Sequence, residues 1–392
     1  MFLQVTSPGV QCGNRVIWFL IAVALVLAAA SLRGDGERER YVREKLREPA
    51  GRDWPRALVI VPVKGGDEGL ELNLHALAGL DYPNYELIVA ARAQADVPPI
   101  AMPAKARLIL AGEGDAGTGE KINNLLAAVR AAPPDCQVLA FADSDGRVSS
   151  GWLKALVAGL DEPEAGAATG YRWHVPEPVD APSILRSVWN AVIAGGFGPG
   201  GNRFVWGGAM AIRREVFDRT RVADYWNGAI SDDYRLSQAV RDAGLRIVYA
   251  PGATVAACDH TSLKELFGWI RRQMMITRFY APGLWRVALV AHLIYCGAMV
   301  AALMAGGAAA LSCLALQLTA GMWKGARRAR LARLSLPDHE HWFRRYGWLH
   351  TVLVPVGTWL WLYSCIAAAV SDTIEWRGYR YRLRHLPGLR PR

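Results

Sequence analysis

Val138 to Ala142, reading VLAFA, runs directly into Asp143-Ser144-Asp145. A short aliphatic run of this kind reads as a strand buried on both faces, and two carboxylates stand where it ends. Ala57 to Val63 (ALVIVPV) and Glu86 to Ala91 (ELIVAA) are runs of the same kind, with weaker ones at Ala167 to Tyr171 and Arg246 to Ala250. Helical patterns fill the intervals at Leu70 to Leu80, Glu120 to Ala131, Gly151 to Gly159 and Ser231 to Ala243. This alternation predicts an open α/β sheet, with ligands bound beyond the carboxyl ends of the strands.

The chain around this unit has 392 residues, 52% of them hydrophobic and 20% charged, which excludes an intrinsically disordered protein. The apolar residues pile up at the two ends. Val16 to Leu32 is 17 residues without a charge, read as an uncleaved anchor, and Val287 to Met322 is a 36-residue run broken only by scattered polar residues. The second run suits two crossings, Val287 to Ala305 and Ala308 to Trp323, joined at Gly306-Gly307. Eight positive charges from Arg33 to Arg56 follow the anchor, and Lys324, Arg327, Arg328, Arg330 and Arg333 follow the helix pair. The positive-inside rule therefore puts the polar stretch between them in the cytoplasm.

The divisions expected are an anchor (1–33), a catalytic domain (54–261), an interfacial amphipathic helix (262–285), two transmembrane helices (286–323) and a basic loop (324–346). A re-entrant or transmembrane segment (347–371) and a basic cytoplasmic tail (372–392) complete the chain. Pro355, Gly357 and the arginines of the tail favour re-entry over a full crossing. The net charge of +10 comes from arginines beside apolar segments with no recognition motif, so nucleic acid is not expected as a partner. Six cysteines without regular spacing argue against a disulfide framework or zinc site.

Asp143 and Asp145 admit two readings: an ordinary Asp-rich turn, or a pair that bridges a divalent cation and so neutralises a diphosphate. Ile230-Ser231-Asp232-Asp233-Tyr234, just before a helix, is either an ordinary N-cap by Ser231 or Asp232, or a cleft edge with Asp233 as general base. Gly112 to Gly119 does not satisfy a phosphate-loop pattern, but Lys121 in the helix that follows could reach a nucleotide phosphate. His260 is either structural or a metal ligand.

In chain order, these pieces resemble the family 2 glycosyltransferases of the GT-A fold, and within them the ceramide glucosyltransferase group. The residues that carry the resemblance are Pro62-Val63-Lys64-Gly65, Leu80 to Glu86, Lys121 to Leu125, Asp143-Ser144-Asp145, Trp206 to Met210, Asp232-Asp233-Tyr234 and Ile374 to Gly378 with Tyr381-Arg382. The resemblance implies a GT-A type open mixed sheet with flanking helices, plus transmembrane and interfacial helices. It implies an inverting transfer from a UDP-sugar to a membrane lipid hydroxyl of ceramide, diacylglycerol or hopanoid type. A divalent metal, Mn2+ or Mg2+, is implied at Asp143, Asp145 and His260, with Asp233 as catalytic base. Lys64, Asp96, Lys121 and Asp143 would bind the donor, and Trp206, Gly207, Asp232, Trp269, Arg272 and Gln273 would line the acceptor side. No obligate protein partner is implied.

Two departures stand out. After ELIVAA the family's early acidic residue is represented only by Asp96. In Phe267 to Tyr280, where Gln/Arg-x-x-Arg-Trp belongs, Met275 and Ile276 stand in place of Arg and Trp if Arg272 is its first member, leaving Trp269 or Arg278 to substitute. The altered motif makes a processive polymer synthase less favoured than a single transfer onto lipid, and leaves a catalytically degenerate membrane scaffold as a rival.

Overall fold

The computed structural model describes residues 8–47, 54–115, 117–200 and 204–386, with side chains from residue 15 onward. Seven strands form one mixed sheet: β1 (Ala57–Pro62), β2 (Tyr85–Ala91), β3 (Ala106–Leu110), β4 (Val138–Ala142), β5 (Ala165–Thr169), β7 (Ala209–Arg213) and β8 (Arg246–Tyr249). Their spatial order is β3-β2-β1-β4-β7-β5-β8. All neighbours are parallel except β7, which runs antiparallel between β4 and β5. A small parallel pair, β6 (Arg172–His174) and β9 (Val255–Ala257), stands beside it.

The aliphatic runs are explained by burial on both faces. In β1, Val59 and Val61 enter one core cluster and Leu58 and Ile60 the opposite one. The helices α3 (Leu70–Ala78), α4 (Glu120–Arg130) and α5 (Trp152–Gly159) lie where the sequence predicts them; α6 (Ala181–Ala194), capped by Asp180, was not foreseen. α7 (Asp232–Asp242) begins at Ser231, whose hydroxyl accepts from Tyr234 N at 3.3 Å, so Ser231 is the N-cap.

At the chain's start are α1 (Pro8–Ser31) and α2 (Asp35–Lys45). After the sheet come α8 (Leu263–Tyr280), α9 (Pro282–Ala305), α10 (Gly307–Ser335) and α11 (Val354–Ala369). The first apolar region and α9 are each long and apolar enough to cross a membrane. Ile21 of α1 packs on Ala301 and Ala302 of α9, and Gly306-Gly307, both at positive φ, turn the chain back into α10. The first half of α10 is apolar and its second half basic.

α8 buries Leu266, Ile270, Met274 and Met275 against α11 and the sheet domain, while its opposite side faces a cleft. α11, 16 residues long, lies on α6: Trp361 Nε1 donates to Trp189 O at 2.9 Å, and the two indoles stack at 4.6 Å. Residues 372–386 are not a free basic tail. Thr373–Trp376 (β10) and Tyr379–Arg382 (β11) form an antiparallel hairpin whose turn residues, Arg377 and Gly378, both have positive φ.

Candidate active site

β1 and β4 run parallel and β7 antiparallel, so the carboxyl ends of the first two meet the segment that enters the third. Val63-Lys64, Asp143-Ser144-Asp145 and Trp206-Gly207 therefore share one edge of the sheet. α7 contributes Asp232 and Asp233, α8 contributes Trp269, Arg272 and Gln273, and the hairpin closes one wall with Trp376, Arg377 and Tyr379. Together they line a cleft of about 1140 Å³. The Asp143/Asp145 pair and Asp233, some ninety residues further on, thus face a single space.

At its floor the Lys121 ammonium donates to Asp143 Oδ1 at 2.8 Å and lies 3.0 Å from Asp232 Oδ2. Burial would strip the proton from Lys121, but Asp143 and Asp232 outweigh it and the pKa is raised. Burial pushes Asp143 up and Lys121 and Arg172 pull it down, for a net below the ordinary carboxylate value. Asp232, 4% exposed, is pushed up to about 6 by burial, against the pull of Lys121 and with the charge of Asp233 adding to the rise. Glycine is required here: a Cβ on Gly207 would stand 2.6 Å from Asp232 Oδ2, and one on Gly208 would stand 2.7 Å from Asp143 Oδ2 and 2.2 Å from the Trp206 ring.

Asp233 takes a hydrogen bond from the Ser231 hydroxyl and another from Tyr234 N at 2.7 Å, both through Oδ1. Arg172 donates to Asp145 Oδ2 at 2.9 Å, its guanidinium 5.2 Å from the Trp206 ring and 5.7 Å from the Trp269 ring. Arg272 lies 5.9 Å from the Trp376 ring and pairs with no described carboxylate. Burial, reinforced by Arg172 and Arg377, lowers its pKa to about 10. An unpaired guanidinium in a half-closed cleft is suited to an anion.

Among the described residues, no three His, Cys, Asp or Glu side chains gather as a metal cage. Asp145 Oδ1 is nonetheless buried without a hydrogen-bond partner, and burial raises its pKa despite Arg172. That oxygen is free to take a cation. Asp259 also has a buried, unpartnered Oδ1 at the cleft wall, its other oxygen held by Arg186 at 2.7 Å.

The acceptor-side residues Trp206, Gly207, Asp232, Trp269, Arg272 and Gln273 all line the cleft, as do Lys64, Lys121 and Asp143. His260 also lines the cleft, with its imidazole 2.6 Å from Asp180, a carboxylate at the start of α6. Asp96 is not among the lining residues; its carboxylate accepts from Ala93 N at 3.2 Å and lies 3.7 Å from Arg92. Arg278 does not replace the missing arginine either, because it donates to Ala368 O and Ser371 O at the end of α11.

Asp67, Arg172, Asp259 and Arg377 were missed as site residues. Ser144 Oγ donates to Asp67 Oδ2 at 2.5 Å, and Asp67 Oδ1 pairs with Arg377, so the hairpin turn is keyed to the Asp143-Ser144-Asp145 turn. Two signals were available: Arg172, a charge directly after a predicted strand, and Arg377, inside the Ile374 to Gly378 motif.

Two solved structures are similar to this chain. The mannosyltransferase PcManGT from Pyrobaculum calidifontis, in complex with GDP-Man and Mn2+, is 18% identical over 90% of this chain and 98% of its own, with TM-score 0.43. GalNAc-T7 with UDP, GalNAc and Mn2+ is 12% identical over 58% of this chain and 48% of its own, with TM-score 0.40. The model of the family described as glycosyl transferase family 21 matches residues 16–387, which refines the broader resemblance to family 2. With nearly its whole length matched, the chain belongs to glycosyl transferase family 21 and is a glycosyltransferase of α/β fold.

Proposed function

We propose that this chain transfers a sugar from a UDP-sugar to the hydroxyl of a membrane lipid, with inversion, at the cytoplasmic face. The observation that carries the reading is the convergence of Asp143, Asp145 and Asp233 on one cleft, walled by α8 and adjoining the apolar helices. Lys64, Lys121, Arg272 and Arg377 supply positive charge along it, as a leaving diphosphate requires. Asp145, with Asp143 beside it, would hold a divalent metal, Mn2+ or Mg2+, which when bound neutralises charge on the diphosphate.

In this reading Asp233 accepts the proton of the acceptor hydroxyl through its free oxygen while Ser231 fixes the other. The hydroxyl oxygen bonds to the anomeric carbon from the face opposite the diphosphate. The bond to UDP breaks with its electron pair leaving on the phosphate oxygen, and no covalent enzyme intermediate is needed. Ceramide, diacylglycerol and hopanoid-type lipids all satisfy this chemistry.

The test uses the full chain in lipid nanodiscs with a panel of UDP-sugars, Mn2+ or Mg2+, and the three lipid classes. UDP release coupled to a new glycolipid by mass spectrometry is the expected result. UDP release without a lipid product, or binding of no uridine nucleotide at all, defeats the reading.

A further inference from the structure

The seam where the apolar helices meet the sheet domain holds a second group of cations, away from the cleft. Lys324 and Arg328 stand one turn apart on α10, just past Trp323, which is 57% exposed, and Arg38 faces them from α2. Positive charges at the edge of a spanning segment ordinarily stay in solvent. Here Arg328 and Arg38 turn toward the end of α6. A Cβ on Gly195 would stand 2.9 Å from Arg328 Nε, and one on Gly198 would stand 3.5 Å from the Arg38 stem. The missing side chain at Gly195 leaves room for Arg328 to lie so close, while Arg38 rests against Gly198 in ordinary contact.

The neighbouring acids do not balance these charges: Asp35, its Oδ2 buried without a hydrogen bond, acts on Lys324, Arg328 and Arg38 as one charge against three, and Glu39 is committed elsewhere. Glu39 holds Arg43 at 2.9 Å, Arg327 at 2.8 Å and Arg330 at 3.5 Å, and Asp35 lies 3.8 Å from Arg327. The last carbonyls of α6 are occupied too: Val192 O accepts from Gly195 N, Ile193 O from Gly196 N, and Ala194 O from Phe197 N and Arg38. Neither Lys324 nor Arg328 has a hydrogen bond or ion pair with any described residue. Burial and then Arg328 lower the Lys324 pKa to about 8; burial and then Arg38 lower that of Arg328 to about 10. Half-buried cations that repel one another call for a bound anion.

We propose that this seam binds the phosphate of an anionic membrane lipid through Lys324, Arg328 and Arg38. The source is a lipid because the cations begin where the exposed apolar surface of α10, with Leu311 and Leu316, ends at Trp323. The inference rests on the reading of the apolar helices as membrane-embedded, and is independent of the sugar and acceptor.

Native mass spectrometry of the full chain in detergent, mixed with phosphatidylglycerol and phosphatidylcholine, tests it. The expected result is retention of phosphatidylglycerol several-fold above phosphatidylcholine, a preference lost in Lys324→Gln/Arg328→Gln. Arg330→Gln, which removes an exposed cation of the same helix, should keep it. Lys324→Gln alone serves if the double variant does not elute as a single species. Equal retention by wild type and variant, or an equal loss in Arg330→Gln, overturns the proposal. Thermal stabilisation by inorganic phosphate alone, abolished in the double variant, would overturn the lipid as occupant. Failure of wild type to float with vesicles would instead sink the membrane reading beneath it.

Discussion

Asp232 and Asp233 are neighbours with opposite environments, and the difference is measurable. Asp232 is buried beside Lys121 with its pKa raised to about 6, whereas Asp233 keeps one oxygen for the cleft. A raised carboxyl pKa contributes stability that is full below the unfolded value near 4 and is lost as pH rises through about 6. Asp232→Asn is therefore expected to be more stable than wild type above pH 6, by about 2 kcal/mol, with the gap closing by pH 4 in thermal melts. Asp233→Asn is expected to lower turnover by about 10²-fold or more while UDP affinity by calorimetry stays near wild type. If activity survives, Asp233 is not the base. Lys121→Met leaves two buried carboxylates without their cation and is expected to cost about 3–5 kcal/mol in denaturant unfolding. In sequence, the placement of Asp143 and Asp233 at the cleft was legible because each abuts a strongly patterned element. The partner of His260 was not legible, because Asp180, the carboxylate its ring meets, lies eighty residues earlier.

Among the elements, the strands β1, β2 and β4 were legible because double-sided burial writes itself as unbroken aliphatic runs, and the helices α3, α4, α5 and α7 because a helical pattern fills each interval. β7 was not, since Ala209 to Arg213 carries little to mark a central strand, and its glycine-rich entry reads as loop. Nor was the hairpin of β10 and β11, whose alternating arginines and tyrosines look like a solvated tail. Its role rests on long-range partners: Arg377 on Asp67 and on Lys64 O at 3.0 Å, and Lys64 3.9 Å from the Tyr379 ring. Arg377→Ala is expected to raise the donor KM about tenfold, equivalent to about 1.4 kcal/mol, with a smaller change in kcat. Arg377→Lys should recover only part of this, because Lys lacks the two-pronged donor geometry. An unchanged donor KM would reduce the hairpin to a stabilising strap.

At the scale of the whole molecule, the question is how the chain sits against a bilayer. Hydropathy made α1 and α9 legible, but 352–370 was ambiguous because its length and its flanking charge disagree. The structure lays α11 on α6, and the chain beyond it returns to the cleft. Cysteines introduced at Trp348 and Asp372, on either side of α11, are therefore both expected to react with an impermeant thiol reagent from the cytoplasmic side alone. Labelling of Asp372→Cys from the opposite side would mean that α11 spans. The hairpin carries one more implication, for the order of folding. Arg377 meets Asp67 across 310 residues of chain, so this wall of the cleft is a long-range contact with a large loop-closure cost. A refolding intermediate that already holds the sheet would therefore still have an unfinished cleft.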